Sequence, residues 1–162
     1  AWDRPLGSGG FDEGVIWGPA SDGAKMYVAL DTLAGNASRR GGGLFALDLE
    51  TGKTIWNTPS PACGDRKPCV PAHIAAVSAM PGVVFAGSVD GFMRAYSSND
   101  GAILWSYDTV REFTTVNGVP AKGGSIGGGG AAIAEGMVFT NSGYSHHGGV
   151  APGNVLLAFA LE

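Results

Sequence analysis

A phrase occurs twice in this chain and begins a third time: Ala46 to Trp56 reads ALDLETGKTIW, Ala95 to Trp105 reads AYSSNDGAILW, and Leu156 to Glu162 reads LLAFALE. An alanine, a polar turn carrying glycine and a tryptophan, repeated in that order, mark one supersecondary unit stacked several times. A stacked unit cannot bury its apolar face alone, so the core of such a chain has to run between repeats.

Each unit parses into short strands. In the first, Gly14 to Ala20 is followed by the turn Ser21-Asp22-Gly23, Lys25 to Leu30, a long loop, Leu44 to Asp48, the turn Glu50-Thr51-Gly52, and Lys53 to Thr58. The second runs Ile74 to Ala79, Met80-Pro81-Gly82, Val83 to Ser88, Asp90-Gly91, Phe92 to Tyr96, Asn99-Asp100-Gly101, and Ala102 to Tyr107. The third has Gly130 to Ala134, Glu135-Gly136, Met137 to Ser142, a long loop and Val155 to Leu161, one strand short. Four antiparallel strands in a repeating unit are the habit of a β-propeller blade. We therefore expect an all-β partial propeller of about three blades, 11–58, 73–108 and 125–162, in one domain spanning 1–162, with 1–10 the end of a preceding blade.

Composition agrees. Glycine supplies 28 of 162 residues and charged residues only 15%, and no stretch carries a helical stripe, which suits a turn-rich β protein. A net charge of −4 lacks the basic footprint that nucleic acid demands. No apolar run approaches the length of a membrane-spanning helix. The chain opens at Ala1 without an apolar leader, so any export signal is expected to have been removed or to lie outside it.

The turns joining first to second and third to fourth strands are short and rich in glycine, as hairpins require. The long connections are Asp31 to Gly43, Asn57 to His73, Asp108 to Gly129 and Gly143 to Asn154. Strand direction alternates, so these four should emerge from one face, where binding is expected. Trp56 and Trp105, each following a glycine turn, should pack between blades, and Trp2 belongs to the same class. Cys63 and Cys69 are the only cysteines and lie in one loop. A disulfide between them would contribute roughly 2 kcal/mol and implies an oxidising compartment, periplasmic or secreted. They lack the companions of a zinc site.

The pattern A-x-D-x-x-T-G-K-x-x-W, carried by Ala46, Asp48, Thr51, Gly52, Lys53 and Trp56, resembles the tryptophan-docking motif of the PQQ-repeat quinoproteins, which are eight-bladed propellers. The second copy departs from it, with Ser97 for the Asp and Asp100 for the Thr. GVIWGPASDG, PGVVFAGSVDGFMRAY, VNGVPAKGGS and NSGY followed by GNVLLAF resemble the polyvinyl-alcohol-dehydrogenase-like branch of that family. The resemblance implies C-terminal blades of a PQQ-dependent alcohol dehydrogenase, the remaining blades coming from the same polypeptide or a companion chain. Glu162 would stand at or near a natural C-terminus and Ala1 at an internal break or cleavage point. It further implies PQQ in the central channel, a calcium ion acting as Lewis acid, a carboxylate base, a small or polymeric alcohol as substrate, and a cytochrome c as electron acceptor. No residue of the chain is assigned as base or metal ligand, because the acidic residues are largely taken by turns; the calcium ligands are expected outside this chain.

Within this frame Trp17, in an inner strand, is either a platform for a flat quinone or a core tryptophan. Lys122, in the glycine-rich connection AKGGSIGGGG, either reaches a cofactor carboxylate or quinone oxygen or is a solvated lysine. Asn117 and Asn141 are polar groups suited to the same face, although Asn117-Gly118 is first a turn signal. His146 and His147 are adjacent histidines in a glycine-rich loop, which are more often exposed than catalytic. His73 opens an inner strand, where packing is the plainer role. Gly52-Lys53-Thr54 only imitates a phosphate loop, since Leu47 stands where a glycine is required and no helix follows. Asn36-Ala37-Ser38 is formally a glycosylation sequon. The rival function is a non-catalytic PQQ-repeat propeller serving as a protein-binding scaffold.

Overall fold

The computed structural model describes residues 1–7, 13–32, 42–144 and 150–160, and every regular element in them is a β-strand. The first blade contains β1 (Glu13–Gly14), β2 (Ala20–Ser21), β3 (Lys25–Thr32), β4 (Gly43–Asp48) and β5 (Thr54–Pro59). β3, β4 and β5 pair in order, while β1 and β2 both pair with β3. The second blade is an antiparallel meander of β6 (Val77–Met80), β7 (Val83–Gly87), β8 (Phe92–Ser97) and β9 (Ile103–Asp108). A separate hairpin, β10 (Glu112–Thr114) and β11 (Pro120–Lys122), precedes the third blade, β12 (Ala132–Ala134), β13 (Met137–Ser142) and β14 (Val155–Ala160).

The apolar residues alternate along these strands, so each sheet offers side chains to a neighbouring sheet. Tyr27, Ala29, Leu44, Ala46 and Trp56 of the first blade close on Val77, Val84, Ala86 and Tyr96 of the second. Ala75 and Met93 of the second meet Ile126 and Ala131 leading into the third, with Phe85, Trp105 and Val138 packed at their margin. The core therefore lies between blades, each large side chain contributing about 1.5–3 kcal/mol by leaving water. The shift of register between Ala46 and Leu47 recurs between Ala95 and Tyr96, the same place in the repeated phrase.

Tryptophan docking follows one rule. Trp56 donates its Nε1–H to the Ser98 carbonyl at 3.1 Å and lies over Gly101, where an added Cβ would stand 2.6 Å from the ring. Trp2 does the same one blade earlier, donating to the Leu49 carbonyl at 2.9 Å above Gly52. Trp105 meets Phe159 of β14 edge-on at 4.9 Å.

Three expectations need correction. The inner strand of the second blade, β6, begins at Val77 and not at Ile74, so His73 lies in the connection before it and does not open it. The stretch from Gly14 to Ala20 is not one inner strand: β1 and β2 are separated by 15–19, in part because Pro19 brings no N–H to the ladder. The connection from Asp108 to Gly129 is not purely loop, since it holds the β10–β11 hairpin, turned at Gly118 with φ +73°.

Candidate functional site

The described parts of the connections 57–73, 108–129 and 143–154 mesh on one face, as the alternation of strands requires. Cys63 and Cys69 form a disulfide with their Cα atoms 6.0 Å apart. Inside that loop Arg66 donates to the Asp90 carbonyl at 3.0 Å and pairs with the Asp108 carboxylate. Its guanidinium lies 4.9 Å from the centre of the Phe92 ring, over which Arg94 is also placed, at 4.6 Å. The end of the loop is tied to the β7–β8 turn, with Val89 N–H and Ser88 Oγ both donating to the Ala72 carbonyl at 2.9 Å. The next connection returns over the same turn: Ser125 Oγ donates to the Val89 carbonyl, and Thr109 Oγ1 lies within reach of the Gly91 and Gly124 carbonyls. The last connection joins through Ala151 N–H, which donates to Ser125 Oγ at 3.0 Å.

Beneath this face lies a buried polar row that the sequence does not announce. Ser60 Oγ is 2.7 Å from His73 Nδ1, and Tyr96 Oη is 2.9 Å from His73 Nε2. Arg94 and Asp90 pair at 2.6 Å with both side chains almost wholly buried. Burial, assisted by the positive charge of Arg94, lowers the His73 pKa to about 4, and burial pushes the Tyr96 hydroxyl up to about 12. His73 is thus a neutral packing residue.

Towards the inner edges of the blades, three segments lie side by side. Val77 N–H donates to the Gly18 carbonyl at 3.1 Å, Ala76 N–H to the Gly128 carbonyl at 2.9 Å, and Trp17 Nε1–H to the Gly127 carbonyl at 3.1 Å. Trp17 belongs to the break between β1 and β2, not to a strand, and 47% of its surface is exposed next to exposed Val15 and Ile16. It is not packed into an inter-blade core.

The other candidates are not gathered around Trp17. Lys122 is exposed on β11, with its backbone N–H held by Asn154 Oδ1 at 2.9 Å and its carbonyl by Asn154 N–H at 2.8 Å. Asn117 sits at the tip of the β10–β11 hairpin, where its Oδ1 accepts from Thr115 Oγ1 at 2.6 Å and Val119 N–H at 3.2 Å, completing the turn. Asn141 is half-buried on β13, opposite Leu156. His146, His147 and Asn36 lie outside the described residues. Among the described residues no group of three His, Cys, Asp or Glu side chains is arranged to hold a metal ion, and no helix is long and apolar enough to cross a membrane.

Residues 1–145 match the family model of PQQ repeats described as outer membrane protein assembly factor BamB. This chain belongs to the PQQ-repeat quinoprotein family. Within that family it is 39% identical to a polyvinylalcohol dehydrogenase of Sphingopyxis sp. strain 113P3, over 99% of this chain and 27% of that protein. It is 40% identical to a polyvinylalcohol dehydrogenase of Pseudomonas sp., again over 99% of the chain and 27% of the relative. The chain thus spans about a quarter of the length of these curated relatives. Among solved structures, the quinohemoprotein alcohol dehydrogenase ADHIIG of Pseudomonas putida HK5 superposes with a TM-score of 0.58 at 23% identity, over 85% of this chain and 18% of that one. BamB of Moraxella catarrhalis superposes with a TM-score of 0.51 at 18% identity, over 77% and 30%. At these identities the two superpositions show a shared propeller fold.

Proposed function

We propose that these blades are part of a PQQ-dependent alcohol dehydrogenase of the bacterial periplasm or exterior, and that further blades, beyond these three, complete its propeller. The observation in the structure that carries this reading is Trp17, a half-exposed indole whose edge is tied to Gly127 and whose neighbour Gly18 is tied to Val77. A ring fixed at its edge and open on its surface fits a flat aromatic cofactor, because stacking needs a large π surface that does not have to be ordered on binding. The two polyvinylalcohol dehydrogenases support the same reading over nearly the whole chain. They also weigh against the scaffold alternative, to which the family model's description and the superposition on BamB point.

When bound, the quinone supplies the oxidant for an alcohol. Trp17 would hold its plane, and the loop face would form part of the substrate rim. Lys122, Asn117 and Asn141 stay proposals for polar contacts around that rim, Lys122 being the best placed through the short link to Gly127. Calcium would be held by side chains from the other blades, and a cytochrome c would take the electrons. Reconstituting the whole protein with PQQ and calcium should give the quinone absorbance and alcohol-dependent dye reduction. Trp17→Ala should weaken PQQ uptake roughly tenfold or more. Failure of the unaltered protein to take up PQQ overturns the reading.

A further inference from the structure

A second exposed ring lies beside the glycine run that holds Trp17. Tyr144, just past the end of β13, is 58% exposed, and its Cδ1 stands 3.5 Å from the point where a side chain on Gly128 would begin. Trp17 donates to the carbonyl of Gly127, so the two rings touch consecutive residues, whose Cα atoms are about 3.8 Å apart across a trans peptide. The run itself carries no side chains: a Cβ on Gly129 would meet open space, and one on Gly128 would meet the tyrosine ring alone. The carbonyls of Gly127 and Gly128 are taken by Trp17 and Ala76, whereas the N–H groups of Gly128 and Gly129 have no hydrogen-bond partner among the described residues. Tyr144 is delivered by a fixed backbone. It forms a parallel bridge with Ile126, and Gly143 before it donates to the Ser125 carbonyl at 2.9 Å and accepts from Gly153 N–H at 3.1 Å. Gly143 has φ +104° and would drive any side chain into Gly153, so glycine is required to bring the ring here.

We propose that Tyr144 is a second aromatic contact of the cofactor, its ring and the Trp17 indole flanking a slot whose floor is Gly127 to Gly129. A flat conjugated ligand suits this slot because it meets a ring from each side, while the glycines let it come down to the backbone. The Gly128 and Gly129 N–H groups only donate, and the quinone and carboxylate oxygens on the rim of such a ligand only accept. Both rings are held before the ligand arrives, so little side-chain freedom is lost on binding. Trp17 belongs to the first blade and Tyr144 to the third, with Ala76 of the second bonded to Gly128 between them. The slot is therefore complete only while all three blades are docked.

The inference rests on the dehydrogenase reading and adds a residue to its cofactor site. Equilibrium dialysis of PQQ against the whole protein, with calcium present, measures uptake without any turnover. Tyr144→Leu keeps the bulk and loses the ring, and it should weaken uptake about five- to tenfold; Tyr144→Phe should stay within about twofold of the unaltered protein. The urea midpoint of the cofactor-free protein should be the same for all three. Unchanged uptake by Tyr144→Leu overturns the contact and leaves the dehydrogenase reading standing. A loss of uptake that comes with a lower urea midpoint makes Tyr144 a packing residue and overturns the contact too, as do equal losses in the Leu and Phe variants, which would assign the effect to the hydroxyl. An unaltered protein that takes up no PQQ overturns both readings.

Discussion

His73 is fully buried, between two hydroxyl groups and near a guanidinium, and that setting gives it a clear acid response. Its pKa falls from 6.5 to about 4 in the folded protein, so below 6.5 the unfolded chain binds a proton that the folded chain refuses. The stability His73 supports is present above pH 6.5 and is lost as the pH falls towards 4, to a limit of roughly 3 kcal/mol. Urea unfolding at pH 7 and pH 4.5 should show this loss in the unaltered protein. A His73→Gln variant should show a flatter acid limb, and equal slopes for the two proteins would dismiss the argument. Nothing at the residue level of the sequence reveals this row. Ser60, His73 and Tyr96 come from separate parts of the chain, Arg94 sharing β8 with Tyr96, and a histidine in a string of letters carries no mark of the groups that will enclose it. The same is true of Trp17, whose indole partner is a carbonyl in another blade.

At the scale of elements, the β7–β8 turn is the joint where the loop face is assembled, and it is stiffened by the buried pair of Asp90 and Arg94. Asp90 also accepts from Phe92 N–H at 3.0 Å, closing the turn on itself. Arg94→Met should cost about 3–5 kcal/mol, because it strands the carboxylate without its partner. Asp90→Asn combined with Arg94→Met should recover part of that loss, and a double-mutant cycle measures the coupling. Elements of this kind are largely legible in the sequence. Strands β3 to β5 and β7 to β9 lie where alternation and Gly-containing turns place them, β6 starts three residues late, and the cysteine pairing follows from two cysteines sharing a loop. The misjudged elements have local physical reasons. Pro19 breaks the first inner strand, and the Asn117-Gly118 signal names a hairpin whose flanks, short and rich in threonine, look like loop.

Across the whole molecule, stability passes from blade to blade through the docking tryptophans. Gly101 has φ +74° and no space for a methyl group beneath Trp56. Gly101→Ala should therefore strain the turn and displace the ring together, lowering stability by about 1–3 kcal/mol. The urea midpoint should fall with its slope unchanged if the blades still unfold as one unit, and a shallower slope would mean that they had uncoupled. Trp2 over Gly52 and Trp56 over Gly101 share a further property: each ring comes from outside the sheet whose turn it covers and bonds, Trp2 from the chain before β1 and Trp56 from β5. A segment cut at the sheet boundaries would leave its own tryptophan without a seat and its own glycine without a cover. The module that evolution can copy, or an engineer can splice, with its contacts intact is thus out of phase with the visible blade, beginning just after one docking glycine and ending with the next.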